Sequence, residues 1–190
     1  MVEKGVRDAA LTEYHALRIY DLFAVETEEV DRLAVRWSGD AWAAVKDSLG
    51  LWREEGGQER RLQRRLLKTI AYDIASARVR RYLADGVPEA DFAGYGLHEP
   101  LLDLRFSARG EDRRLRLGNE IDPDEHYARR DENSTLLVVT SQLLQSAELP
   151  LEEMIETNPV PLNYDRLDSV QITWHSGEQV TCLPGPRGEW

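Results

Sequence analysis

Apolar and polar residues alternate in two stretches of the chain, residues 30–52 and 167–190, whose patterns are closely related. Alternation with a period of two predicts a half-buried strand. Each stretch continues with a Ser-Gly turn, a returning strand and a Gly-x-Trp ending. With one inserted residue, His175, the two stretches align, and Trp37 falls opposite Trp174. The pattern therefore predicts a repeated hairpin.

A different periodicity follows the first hairpin. Between residues 58 and 84, apolar residues recur at spacings of three and four, which predicts one long amphipathic helix. The apolar positions are Leu62, Leu66, Leu67, Ile70, Ile74, Ala77 and Leu83. The opposite face is basic and comprises Arg60, Arg61, Arg64, Arg65, Lys68, Arg78, Arg80 and Arg81. Gly86 and Pro88 then predict the end of the helix.

Alternation returns between residues 102 and 139 and predicts a four-stranded antiparallel meander, with an acidic loop at residues 118–125. Residues 141–155 predict short helices. Runs of strands separated by a single helix favour an α+β fold. We therefore predict a mostly antiparallel sheet with one long helix packed on one face and short C-terminal helices.

The patterns also predict how the chain is divided. Residues 1–24 form a lead-in segment, residues 25–156 form a single α+β module, and residues 157–190 form a connector and the start of a second, truncated copy. This second copy lacks a helix and a meander of its own. We expect its apolar residues to pack on the first module, and the native protein to continue past Trp190.

Composition and charge narrow the range of functions. The chain is 42% hydrophobic and 31% charged, which is typical of a globular protein. Its formal net charge of −11 opposes binding to nucleic acid or to anionic membranes. Cys182 is the single cysteine, which excludes an intrachain disulfide and a cysteine-based metal cluster. No apolar run is long enough to span a membrane, so a membrane anchor would lie outside this sequence.

Two features could form an interaction surface. The basic side of the predicted helix could bind phosphate groups, although a solvated face paired with acidic residues is the commoner arrangement. Trp42 could lie on the outer face of its hairpin and contact a partner or a glycan, although tryptophan is usually buried. The candidate surface residues are Trp42, Arg60, Arg61, Arg64 and Arg65.

Candidate chemistry is sparse. The acidic residues Glu120, Asp122, Asp124 and Glu125 could hold Ca²⁺, but they lack the spacing of an EF-hand, and an exposed loop is the simpler interpretation. The four histidines are not spaced as zinc-ligand pairs. The sequence contains no nucleophile elbow, phosphate-binding loop or dinucleotide loop. We expect neither catalysis nor a cofactor or metal.

The order of short motifs resembles a known family. In chain order these motifs are the Gly-x-Trp ending at Trp52, Tyr95-Gly96-Leu97, Pro100, Leu117-Gly118, Tyr127 and Ser141-Gln142-Leu143-Leu144. Their order and spacing are similar to those of the domain of unknown function 4340, over about residues 25–156 and again from about residue 162. The family occurs in bacterial envelope proteins, often as tandem copies behind a membrane helix, which this sequence does not contain.

The resemblance implies a non-enzymatic role outside the cytoplasm, because some family members are auxiliary components of gliding-motility-type ABC transporters. The first hypothesis is therefore an interaction module whose protein partners are membrane transporter components. The alternative is a ligand-binding domain for a peptide or an envelope glycan, which a deep pocket with converging polar groups would favour. An enzyme of another type is the third hypothesis.

Overall fold

Eight strands form one sheet in the computed structural model of the chain, which describes residues 20–157 and 169–183. The strands of this sheet are β1 (Val30–Trp37), β2 (Asp40–Lys46), β3 (Trp52–Glu54), β4 (Val79–Ala84), β5 (Leu102–Ala108), β6 (Glu111–Asp122), β7 (Glu125–Arg130) and β8 (Leu136–Thr140). Their order across the sheet is β3-β2-β1-β5-β6-β7-β8-β4, and every neighbouring pair is antiparallel.

The mostly antiparallel α+β fold is therefore confirmed, and so is the meander β5–β8. Short turns join the strands of this meander, and another short turn joins β1 to β2. Sequential strands are therefore adjacent in the sheet. The predicted acidic loop at residues 118–125 was too long, because β6 continues to Asp122 and the turn before Glu125 is tight.

The prediction of one long helix over residues 58–84 was wrong. The helix α1 spans only Arg64–Ser76. Before it, Arg61 bridges to Arg53 and Leu62 bridges to Ile155, so this part of the chain is extended. After it, the chain enters β4, which pairs with β8 and covers the edge of that apolar strand. Leu83, assigned to the apolar face of the helix, is 44% exposed.

Two further helices follow the meander. These are α2 (Gln142–Ala147) and α3 (Leu151–Met154), which agree with the predicted short C-terminal helices. The buried residues of α1, among them Leu67, Ile70 and Ile74, join one hydrophobic cluster with β1, β5 and α2. The side of the sheet that carries this cluster is called the covered face.

The chain divides into two units, Met1–Glu156 and Thr157–Trp190. In the second unit, β9 (Val170–Thr173) and β10 (Gln179–Cys182) form a separate antiparallel sheet of two strands. Trp174, at the end of β9, is 48% exposed. Of the lead-in segment predicted at residues 1–24, residues 1–19 lie outside the described part of the chain, as do residues 158–168 and 184–190.

Candidate functional site

The face of the sheet opposite the hydrophobic cluster carries charged and small side chains. Strand alternation brings them there, because residues two apart in β1, β2, β5 and β6 share a face. In the strand register Arg36 lies opposite Ala41 on β2 and Asp103 on β5. Ala34 lies opposite Ala43 on β2 and Arg105 on β5. This surface is called the open face, and its members are Arg32, Ala34, Arg36, Ala41, Ala43, Asp103, Arg105, Ser107, Asp112, Arg114 and Arg116.

Asp103 is the centre of the open face. Its side chain is only 5% exposed, and Arg114 donates to both of its oxygens, from Nε to Oδ1 at 2.7 Å and from Nη2 to Oδ2 at 2.9 Å. Arg36 Nη2 donates to Oδ2 at 3.1 Å, and Arg105 Nη2 lies 3.9 Å from the same oxygen. One carboxylate is therefore shared by three guanidinium groups.

Opposing effects act on the pKa of Asp103. Burial raises the pKa of this carboxyl, but the hydrogen bonds and charge of Arg114, together with the charges of Arg105 and Arg36, lower it further than burial raises it. The net effect is a pKa below the usual range of an aspartate. Asp103 is therefore ionised at neutral pH and holds the surrounding arginines in place.

A second carboxylate extends the network toward β7. Glu132 accepts hydrogen bonds from Arg114 Nη1 at 2.8 Å and from Arg116 Nη2 at 2.9 Å. Arg116 is buried, and its Nε has no hydrogen-bond partner among the described residues. Burial lowers the pKa of Arg116, the charges of Arg114 and Arg129 lower it further, and Glu132 opposes them. The cluster thus contains more hydrogen-bond donors than acceptors.

A 3-10 helix, Glu89–Tyr95, closes the β7 end of this face. Arg129 is buried beneath it, donates to Glu89 at 2.9 Å and lies 4.1 Å from the ring centre of Phe92. Gly118 makes the close approach possible, because an added Cβ would lie 2.0 Å from the carbonyl oxygen of Tyr95. The remainder of the open face, over β2, β1, β5 and β6, is exposed or half-buried except for Asp103 and Arg116.

Two open pockets lie along this exposed part. The first has a volume of about 480 Å³, and its lining includes Ala34, Arg105 and Arg114. The second has a volume of about 510 Å³ and also includes Ala34 and Arg105, together with Arg36 and Asp103. Both are shallow and are bordered by guanidinium groups and carboxylates, so they suit a charged group better than an apolar ligand. The carboxylates are Asp112, Asp131 and Glu132 in the first pocket and Glu54, Glu55 and Asp103 in the second.

Comparison with protein families gave one match, to the family described as Domain of unknown function (DUF4340), over residues 52–190. This match covers more than half of the chain. The chain belongs to the DUF4340 family. The match begins at β3 and therefore leaves out β1 and β2. No curated protein and no solved structure matches the chain.

Of the residues predicted to form an interaction surface, Trp42 lies in the core and outside the stretch that matches DUF4340. It is only 4% exposed and belongs to the cluster on the covered face. In the strand register it lies opposite Val35, which belongs to the same cluster, and not opposite Arg36, which is on the open face. It therefore presents no aromatic surface to solvent. Its indole Nε1 has no hydrogen-bond partner among the described residues.

The four predicted arginines do not form one helix face. Arg60 and Arg61 precede α1, and Arg60 donates to the Glu54 carboxylate at 2.8 and 3.2 Å. Arg64 and Arg65 are the first residues of α1 and are exposed. Of the other basic residues assigned to that face, Arg78 pairs with Asp21 and Arg81 pairs with Glu125. The predicted basic face is therefore divided among a loop, a helix and a strand.

The acidic residues considered for Ca²⁺ lie along the β6–β7 hairpin, where Asp122 is opposite Glu125 in the strand register. Glu120 and Asp122 lie in β6, whereas Glu125 lies in β7 and pairs with Arg81. Within residues 20–157 and 169–183, no group of three or more histidine, cysteine, aspartate or glutamate side chains is placed to hold a metal ion. In the same residues, no helix is long and apolar enough to cross a membrane.

The sequence patterns do not predict the Asp103 cluster. Its members were visible only as the polar positions between the apolar residues of β1, β5 and β6. Alternation showed which residues would share a face, but the pairing of β1 with β5 brings Arg36 beside Asp103 across 67 positions of sequence. A search for charged residues on the polar side of each predicted strand finds Asp103 and the arginines, but not which of them lie side by side.

Proposed function

We propose that this chain is a non-catalytic interaction module of a bacterial envelope protein, and that it binds a protein partner through the open face. The observation that carries the proposal is the exposed part of that face, where arginines surround small side chains on a sheet whose other side is filled by the core. Sheets that present such a surface offer a rigid platform for a partner.

The partner is a membrane component of an ABC-type transport or gliding-motility system. This part of the proposal rests on membership of the DUF4340 family, some of whose members are auxiliary components of such transporters. The same membership supports a location outside the cytoplasm. The domain organisation is proposed from the repeated sequence pattern, with a module at residues 25–156 and a second copy that begins within residues 157–190.

Site-specific photocrosslinking in the native host tests the proposal. A photoreactive amino acid replaces Ala43, which is half-buried on the open face, and in a control it replaces Tyr72, which is exposed on α1. We expect a crosslinked product from position 43 that mass spectrometry identifies as a transporter component, and none from position 72. A product from position 72 alone would contradict the proposed surface, and a product with an unrelated protein would contradict the transporter link.

A second candidate function is a ligand-binding domain for a peptide or an envelope glycan. The pocket of about 480 Å³ beside Arg105 favours it, because its volume is within the range of small-ligand sites. The pocket is open and shallow, which favours a macromolecular partner. Saturable binding of a small envelope-derived glycan by calorimetry would favour the second candidate.

A further inference from the structure

We infer that the open face receives a carboxylate-rich peptide segment of the partner, whose acidic side chains pair with Arg36 and Arg105. The inference rests on the proposed function, since it names the chemistry of the partner at the same surface.

The arginines around Asp103 have N–H donors that its carboxylate does not use. A guanidinium group has five N–H donors, whereas a carboxylate accepts at about four positions. Arg114 takes both oxygens of Asp103 in a two-bond pair, and Arg36 adds a third hydrogen bond. Arg105 is left at 3.9 Å from the nearest oxygen, which is too far for a direct hydrogen bond.

The side chains of Arg36 and Arg105 are accessible to solvent. They are each 62% exposed, although they lie beside a nearly buried carboxylate. Their unused N–H groups therefore face solvent and can meet an added carboxylate without breaking the pair between Asp103 and Arg114. Arginine forms two parallel hydrogen bonds with a carboxylate, so the donor geometry suits glutamate and aspartate side chains.

A floor of small side chains lies next to these arginines. Ala34, Ala41 and Ala43 are the small side chains across β1 and β2, directly beside Arg36 and Arg105 in the strand register. Four adjacent strands span about 15 Å, which is the length of a few extended residues. A peptide backbone can approach this floor closely, and its acidic side chains then reach the arginines at the border.

The groups around Asp103 carry a positive charge in a molecule that is acidic as a whole. Arg36, Arg105 and Arg114 share Asp103, and Arg114 also pairs with Glu132, so this centre holds three guanidinium groups and two carboxylates although the formal net charge of the chain is −11. The carboxylates of Glu54 and Glu55, which line the neighbouring pocket, are paired with Arg60 and Arg32. Charges farther away than about 8 Å are largely screened at physiological ionic strength. The arginines therefore determine which charge is attracted at the surface, while the remainder of the molecule opposes extended polyanions such as nucleic acid.

The test is fluorescence anisotropy of the full chain with a fluorescein-labelled hexaglutamate peptide at about 0.15 M salt, with a hexaglutamine peptide as the neutral probe. We expect saturable binding of hexaglutamate alone. Arg105→Glu and Arg36→Glu are each expected to weaken it by about tenfold or more, because each replaces an attractive pair by a repulsive one. Arg105→Gln tests the loss of charge without repulsion and is expected to weaken binding to a smaller extent.

Arg65→Glu is the matched control, because Arg65 is exposed on α1 and its substitution changes the net charge by the same amount. We expect it to bind the probe as wild type does. Equal losses for Arg65→Glu and Arg105→Glu would overturn the inference in favour of a non-specific charge effect. A loss in Arg65→Glu alone would overturn it in favour of the basic residues at the start of α1.

The remaining outcomes separate this inference from the proposed function. No binding of hexaglutamate, together with a transporter crosslink from position 43, overturns the acidic peptide and retains the module. Binding of dextran sulfate that Arg105→Glu abolishes, with no binding of hexaglutamate, overturns the peptide in favour of a sulfated or phosphorylated glycan. Binding of hexaglutamate that Arg105→Glu weakens, without any crosslink from position 43, retains an acidic-ligand site and contradicts the transporter partner.

Discussion

Asp103 and Leu104 are neighbours in β5, yet they lie on opposite faces of the sheet and in opposite kinds of environment. Leu104 is fully buried in the hydrophobic cluster of the covered face, beside β1 and β6. Asp103 is almost as deeply buried, but its contacts are three arginines. The comparison shows that burial alone does not distinguish a core from a site, whereas the chemistry of the contacts does.

The two faces also differ in how specific they are. Apolar packing is non-directional, so many combinations of leucine, isoleucine and phenylalanine would fill the covered face. The Asp103 network depends on direction, because each oxygen accepts from a defined nitrogen. Replacing a buried ion pair by apolar residues is often neutral or stabilising, so stability does not by itself account for a charged network here. Four substitutions sharpen or break this comparison.

The largest effect is expected on the covered face. Leu104→Ala removes a fully buried side chain and leaves a cavity, and we expect it to lower the free energy of unfolding by about 4 kcal/mol. Urea denaturation followed by tryptophan fluorescence measures this. Leu101→Ala is the control, since Leu101 is 41% exposed just before β5, and we expect a change below about 0.5 kcal/mol. Similar losses in both variants would contradict the assignment of the covered face.

On the open face, Asp103→Asn tests the centre of the arginine cluster. Asparagine keeps the shape but has one acceptor oxygen, and its amide N–H groups point at the donors of Arg114. We expect a loss of about 3 kcal/mol in the free energy of unfolding, because the two-bond ion pair of the buried carboxylate with the half-buried Arg114 is lost and an amide N–H meets a donor of that arginine. Asp40→Asn, at an exposed position of β2, is the control and should leave stability within about 0.5 kcal/mol.

The same variant has a defined pH dependence. The pKa of Asp103 is lower in the folded chain than its unfolded value, which is about 4 for aspartate. Folding therefore favours the ionised form, and the stabilisation is complete above about pH 4 and is lost as the pH falls through the lower folded pKa. The stability difference between wild type and Asp103→Asn should be constant near neutral pH and shrink in strong acid. A difference that grows on acidification would show that Asp103 is protonated in the folded chain.

How far the sequence predicted this structure depends on the range of the interactions. Alternation in β1 and in β5–β8 correctly placed the strands of the meander, because a period of two is a local property. It failed over residues 77–84, where spacings of three and four also fit a helix. There the pairing of β4 with β8, more than 50 residues away, determines the conformation.

The candidate site was less predictable, because it depends on pairing between distant strands. The two tryptophans predicted to be equivalent illustrate the same limit. Trp37 is 8% exposed in the eight-stranded sheet, whereas Trp174 is 48% exposed in a sheet of two strands. Similar sequence patterns predict a hairpin in both places, but they do not state what packs on it. The repeat itself remains a prediction.

The boundary between the open face and its closed end can be tested at Gly118. An added Cβ would meet the backbone oxygen of Tyr95 at 2.0 Å, so Gly118→Ala must displace the 3-10 helix Glu89–Tyr95 or the end of β6. We expect a loss of about 2 kcal/mol in the free energy of unfolding, as for other overpacked sites. Gly94→Ala is the control, because a Cβ at that position meets no atom within 4 Å. Equal stability of the two variants would contradict the close approach.

The smallest effect on stability is expected at Arg105, and this separates the binding role of the open face from its structural role. The side chain is 62% exposed, its nearest carboxylate oxygen is 3.9 Å away, and it lies directly opposite another arginine, Arg114. An exposed ion pair contributes little, and like charges on neighbouring strands are unfavourable. We therefore expect Arg105→Ala to change the free energy of unfolding by less than about 0.5 kcal/mol, measured by urea denaturation. If Arg105→Ala instead lowers the free energy of unfolding as much as Asp103→Asn does, Arg105 is part of the network that stabilises the fold. Its N–H donors are then not free to bind a partner.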